Sequence, residues 1–387
     1  MINRLLLGKN QTPILYRGLV LVILICAVYD LAETAGKFGD FFVPAGKVTI
    51  HDTKLNFLAL WAAEVGPTGR ISVIDMPYEG FVGLKIFSAD GRFLHEADKL
   101  KLFDREILID HAEGNKGRII ANSMARLLFF DEKGGLQNVA NIANTETGLL
   151  ERSWTTGVVR VDLSPTGEIV GAGIGYPKPN FLHTFDKNGK LLREFLLLDK
   201  KYNEPYIDMT FLDVDSMGDI WCTFPVFYKV FHYGVDGTQK KEIIGQSPLF
   251  TPPDRLKFSG SGKKWYKWLK TWTPTVGCAA TQSGYVLLVM LAGEKGKPFV
   301  KSYDPEGKYD GGFFVDIYDR EGNMIAAGLH TPHRFLCVDD KDNLWFALAP
   351  GTLENPKDGP VVLGKYRLNL KSFTTPKAAA QSKPTKK

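Results

Sequence analysis

Apolar and polar residues alternate with a period of two in short runs along most of this chain, and tight turns join the runs in pairs. Residues 213–224, DVDSMGDIWCTF, show the unit: an alternating run, a turn carrying glycine, and a second alternating run. That is the pattern of a β-hairpin. It returns as EVGPTGRISVID (64–75), HAEGNKGRIIAN (111–122), DLSPTGEIVGAG (162–173), TQSGYVLLVM (281–290) and VDDKDNLWFALA (338–349). The turn residues fall at Gly69, Gly117, Gly167, Gly218, Gly284 and Asn343.

A second hairpin follows most of the first ones: KIFSADGRFLHEA (85–97), LLFFDEKGGLQNVA (127–140), HTFDKNGKLLREF (183–195), KVFHYGVDGTQKKEI (229–243) and VDIYDREGNMIAAG (315–328). Strands alone, repeating at roughly 50 residues, predict an all-β, six-bladed propeller of four-stranded antiparallel blades. The sixth repeat has a third strand, VVLGKYRLNL (361–370), and then a polar tail. Its fourth strand is missing, and a closed ring must not leave that edge open. The segment 43–51, VPAGKVTIH, lies before the first blade with no other partner, so it is expected to pair with 361–370 and close the ring.

The phrases D-x-x-G-x-I-W and V-F-D-x-x-G-x-x-L-x-x-F resemble six-bladed propellers of the NHL and TolB-like kind, over about 42–372. The resemblance implies a protein-binding scaffold, a glycan or peptide binder, a lactonase or a lyase, and fold does not choose among them.

The ends change the picture of location. Arg4, Lys9 and Arg17 precede any acid, and then 19–29 reads LVLVILICAVY. That is an export signal's apolar region, short of the roughly 20 residues of a membrane span. Residues 1–36 are therefore a signal peptide or a signal anchor. Cleavage after Thr34-Ala35-Gly36 would release a periplasmic or secreted protein, and retention would tether it to the membrane. The net charge of +5 is mild, and export excludes nucleic acid as a partner. Residues 373–387 are a basic tail expected to be disordered. Past the signal, Cys222, Cys278 and Cys337 occupy strand positions and match no zinc spacing, so they are expected as buried free thiols.

Strand alternation puts both kinds of hairpin turn on one face of the disc. The long insertions 246–275, 292–312 and 349–360 all fall on the other. Functional residues ride on such loops over a rigid scaffold. The first insertion contains KKWYKWLKTW (263–272), which as a helix sets Trp265, Trp268 and Trp272 on one stripe. They form either a basic, Trp-rich surface for a membrane or acidic partner, or a lid packed on the propeller. Strand ends at the funnel of that face carry Asp75, Asn122, Asp208, His333 and Arg334. Asp75, Asn122 and Asp208 would make an oxygen-rich site for a divalent cation such as Ca²⁺ or Mg²⁺. Lactonase-type propellers hold such an ion similarly, although their first-position glutamate has no counterpart here. His333 and Arg334 would bind an anionic group. Two function classes follow: a binding propeller working through its elaborated face, and a metal-dependent hydrolase or lyase at the central channel.

Overall fold

The computed structural model describes residues 37–50, 60–75, 83–97, 108–123, 126–142, 157–174, 180–197, 210–245, 247, 249–253, 272–291, 312–349 and 361–373. A short helix α1 (Lys37–Phe41) leads into strand β1 (Phe42–Ile50). Blade 1 is β2 (Leu60–Val65), β3 (Ile71–Asp75), β4 (Gly83–Phe87) and β5 (Phe93–Glu96). Blade 2 is β6 (Asp110–Glu113), β7 (Ile119–Asn122), β8 (Arg126–Phe130) and β9 (Leu136–Asn141). Blade 3 is β10 (Gly157–Leu163), β11 (Ile169–Ile174), β12 (Asn180–Phe185) and β13 (Leu191–Leu197). Blade 4 is β14 (Phe211–Val214), β15 (Asp219–Thr223), β16 (Lys229–Gly234) and β17 (Gln239–Ile244). Blade 5 is β18 (Thr275–Ala280), β19 (Tyr285–Leu291), β20 (Phe313–Asp319) and β21 (Met324–Thr331). Blade 6 is β22 (Arg334–Val338), β23 (Leu344–Ala349) and β24 (Val361–Leu368), with β1 as its fourth strand.

The ring closes as expected. β1 lies antiparallel to β24, from Phe42 opposite Leu368 to Ile50 opposite Val361. The chain's first and last strands thus share one sheet, and Phe42, fully buried, stacks on Phe38 at 4.2 Å and meets Phe346 edge-on at 6.0 Å.

Alternation holds less well than the sequence pattern suggests. β3, β7 and β15 are buried along their whole length, whereas outermost β9 and β17 are largely exposed. The cause is that both faces of a middle strand press on neighbouring blades. Among the described residues six apolar clusters form, one at each blade junction. Ile74, Ile86, Ile119 and Phe130 fill the gap between blades 1 and 2, and Trp345, Leu363, Ile71 and Phe87 that between blades 6 and 1.

The first five first-hairpin turns share a left-handed glycine, and the second adds a left-handed Lys116 (φ 66°) before it. Gly69, Gly117, Gly167, Gly218 and Gly284 have φ between 77° and 94°, where glycine carries no steric cost. The sixth turn departs from expectation: the left-handed residue is Asp342 (φ 57°), not Asn343. Asp342 accepts the N–H groups of Gln282 and Ser283 in blade 5, at 2.5 and 2.7 Å, which offsets the strain. Asn343 instead donates its amide to both oxygens of Asp339 at 2.8 Å. Asp215 and Asp186 are turn residues: each accepts two backbone N–H groups within its own turn.

Deleting a buried phenyl ring costs about 3–5 kcal/mol. Phe42→Ala should therefore lower stability by that amount in chemical denaturation. A loss under 1 kcal/mol would show that β1 does not hold the ring shut.

Candidate functional site in the central channel

The six innermost strands β2, β6, β10, β14, β18 and β22 surround a cavity of about 350 Å³. Its lining includes the turn residues Pro67, Asn115, Pro165, Ser216, Gln282 and Asp340, so it opens on the face of tight turns. It is acidic, with Glu64, Asp110, Glu113, Asp162 and Asp213 along the strands.

Register explains the arrangement. An innermost strand pairs on one edge only, and its other edge leaves N–H groups facing the next blade around the channel. Side chains fill that gap. Both oxygens of Glu64 accept the Glu113 N–H at 3.1 and 3.2 Å. Asp110 accepts the Val161 N–H at 3.1 Å, Asp162 that of Val214 at 2.7 Å, and Asp213 that of Ala280 at 2.8 Å. Blades 1 to 4 each reach to the next with a carboxyl acceptor.

Pairing levels show why these residues serve. Counting back from the last pair of each first hairpin, the same level holds Glu64, Ala112, Asp162, Asp213, Ala279 and Cys337. Three carboxyls crowd one ring. Burial raises the Glu64 pKa well above its usual value, and the Asp162 charge adds to the rise. Burial does the same to Asp162, reinforced by Asp213. Asp213 is pushed up to about 7 by burial, partly opposed by the Ala280 N–H. Asp110 is also raised by burial, with Arg160 acting the other way.

The cysteines are free, and Cys222 and Cys278 are buried as expected. Cys337 is half-buried and sits one level away from Cys278, because the left-handed residue of its turn is Asp342, one place before Asn343. Burial raises all three thiols.

The residues expected at the funnel have mixed fates. Asp75 is buried and accepts an ion-paired hydrogen bond from Lys85 at 2.7 Å, so its charge is already matched. Asn122, fully buried, ties strands together: its oxygen accepts the Asp110 N–H at 2.9 Å and its amide donates to the Val158 carbonyl. Asp208, Trp265 and Trp268 lie outside the described residues, as does the 1–36 signal or anchor segment. Trp272 is not at a surface; it is 1% exposed and packs with Phe42, Leu291 and Phe313. His333 has its Nδ1 buried without a hydrogen-bond partner among the described residues, and burial, then Lys47, pushes its pKa down to about 4. Among the described residues no three His, Cys, Asp or Glu side chains converge as ligands of one metal ion, and no helix is long and apolar enough to cross a membrane. The acidic ring was missed by the sequence reading. Its only signal is an acid just before the end of the first strand, present in three of six repeats.

Solved structures resemble this fold at low identity. A member of the DUF4221 family from Bacteroides vulgatus superposes with a TM-score of 0.57 at 12% identity, covering 84% of this chain and 98% of that one. A Bacteroides fragilis protein whose name proposes export superposes with a TM-score of 0.54 at 10% identity, covering 87% and 97%. These likenesses establish the six-bladed propeller architecture. No family model and no curated protein matches the sequence.

Two expectations follow. A carboxyl whose folded pKa is raised favours the protonated folded state, so its stability contribution is complete below the unfolded value and is lost as pH rises through the folded one. Unfolding free energy should therefore fall by a few kcal/mol between about pH 4 and 7, the window set by Asp213. Asp213→Asn, which keeps an acceptor for Ala280, should flatten that slope; an unchanged slope in urea melts at pH 5 and 8 would refute this origin. Separately, Asp75→Ala removes the carboxylate 2.7 Å from the buried Lys85 ammonium and should cost about 3–5 kcal/mol, while Asp75→Leu with Lys85→Met should recover most of it. Equal losses in the single and double variants would show that the ion pair is not what matters there.

Proposed function

We propose that this chain is exported and works outside the cytoplasm as a six-bladed binding propeller. It takes a protein, glycan or small ligand on the face that carries its long connections. The asymmetry of the two faces carries this reading. On one face the connections are turns of four or five residues, such as 66–70, 131–135, 215–218 and 339–343. On the other, strands are joined through 245–274, 292–312 and 350–360. Long connections cost loop-closure entropy and expose backbone, and a scaffold able to turn in four residues does not need them. Confinement of all of them to one face supports a binding role there. The charged and then apolar N-terminus supports export, with the propeller left periplasmic, secreted or tethered.

The test replaces 292–311 and 350–360 with two-residue Asn-Gly turns and compares ligand binding with the parent on glycan, peptide and metabolite arrays. Retained thermal stability with loss of the parent's ligands is the expected result. Ligands that bind the trimmed propeller equally well would place the function elsewhere. For location, a reporter that is active only outside the cytoplasm should light up when fused after Lys387 and go dark when 1–36 is deleted.

A further inference from the structure

We propose that the acidic channel binds an alkylammonium cation, either a free di- or polyamine or a lysine side chain, entering through the face of tight turns. This goes beyond the binding role of the elaborated face and concerns the opposite one.

The charge of the channel is local. The chain as a whole carries +5, yet among the described residues the channel is lined by aspartates and glutamates and by no lysine or arginine. Asp215, Asp340 and Asp342 stand at its mouth among the turns, and Glu64, Asp162 and Asp213 share one level deeper in. A cleft of one sign with low-dielectric walls focuses its field and concentrates counter-ions. Cations outside the lining reach only part of it. Arg70 pairs with Glu113 at 3.3 Å and Arg320 with Asp215 at 2.8 Å, but among the described residues no ion pair reaches Glu64, Asp162 or Asp213. Backbone matching explains these three as acceptors but not as charges. An amide accepts an N–H without repelling its neighbours, as Asn122 does for the Asp110 N–H.

Two buried atoms point to a ligand independently of that charge. Glu113 Oε2 and His111 Nδ1 belong to one face of β6, in side chains that line the channel and are 3% and 4% exposed. Neither atom has a hydrogen-bond partner among the described residues. His111 Nε2 meets Ser72 Oγ at 2.8 Å, and burial keeps the ring neutral by pushing its pKa down to about 4. A neutral ring that donates Nε2–H to Ser72 presents Nδ1 as an acceptor. A buried acceptor left unmatched lowers stability, and a donor arriving in the channel restores it.

The ligand must then be cationic and carry N–H donors. Among the described residues no three ligating side chains converge on one point, which disfavours a bare metal ion. An ammonium has three donors and no acceptor, and its alkyl chain spans acceptors that are spread along strands. Val161, Leu212 and Phe335 in the lining supply apolar surface for the methylenes. A volume of about 350 Å³ admits a chain of that kind.

The experiment is thermal unfolding of the full chain titrated with putrescine, spermidine or an acetyl-Gly-Lys-Gly-amide peptide at constant ionic strength. Tetramethylammonium, which has the charge but no N–H, and Ca²⁺ serve as controls. At least one amine should give a saturable rise in melting temperature at pH 8, and the controls none. The apparent affinity should fall several-fold at pH 6. There protons compete for Asp213, which is pushed up to about 7 by burial and further by Asp215, and for Glu64 and Asp162, which face each other and Asp110. Asp213→Asn and Glu113→Gln each keep an acceptor and lose a charge, and each should weaken amine binding roughly tenfold. Without amine, Asp213→Asn should melt no lower than the parent at pH 8, which separates lost binding from lost folding; Glu113→Gln provides the same test elsewhere in the channel. A preference for putrescine or spermidine assigns a free polyamine, and a preference for the peptide a lysine side chain. No saturable rise with any amine, an equal rise with tetramethylammonium or Ca²⁺, or a rise that survives both substitutions overturns the proposal.

Discussion

Six innermost strands each bury one edge that no other strand can pair. An unmatched buried N–H costs on the order of 1–3 kcal/mol, and a propeller repeats the problem at every blade. At four junctions this chain answers with carboxyl acceptors that reach from one blade to the next: Glu64, Asp110, Asp162 and Asp213. Carboxylates suit the task because a charged acceptor makes a short, strong bond to an N–H. Concentrating them around one axis sets them against each other, which is why burial and mutual repulsion raise their pKa values together.

The outer fold spreads the remaining load. Six apolar clusters fill the blade junctions, and a second lacing runs over the turn face. Arg70 of blade 1 donates to the Gly117 and Glu132 carbonyls of blade 2, each at 2.6 Å, and Arg320 of blade 5 meets Asp215 of blade 4 at 2.8 Å. The turn face is thereby short, laced and rigid. A rigid base of this kind lets the opposite face carry long connections without disturbing the ring.

Charge along the axis is layered as a result. Acids lie toward the turns, where they are needed as acceptors. Arg160 and Arg334 lie two pairings farther from the turns, at the level of Asp110. Phe211 occupies that level in blade 4, which shows that the position tolerates an apolar residue.

The hairpin unit, the six-fold repeat, the missing outer strand and its replacement by the N-terminal segment were legible in the chain. They depend on local alternation, turn glycines and counting. Cys222 and Cys278 were legible as buried thiols for the same reason, as positions in a repeat, whereas Cys337 is half-buried. The left-handed Asp342 was not, because its strain is compensated by N–H groups of another blade. Nor was the pairing of Asp75 with Lys85, since alignment of repeats says where a side chain starts and not what it meets. Sequence by itself determined the architecture, because strands and turns are encoded by neighbours in the chain. Only the tertiary structure decided which residues share a level around the axis, since one bulge in β22 brings Arg334, rather than Phe335, to the level of Arg160.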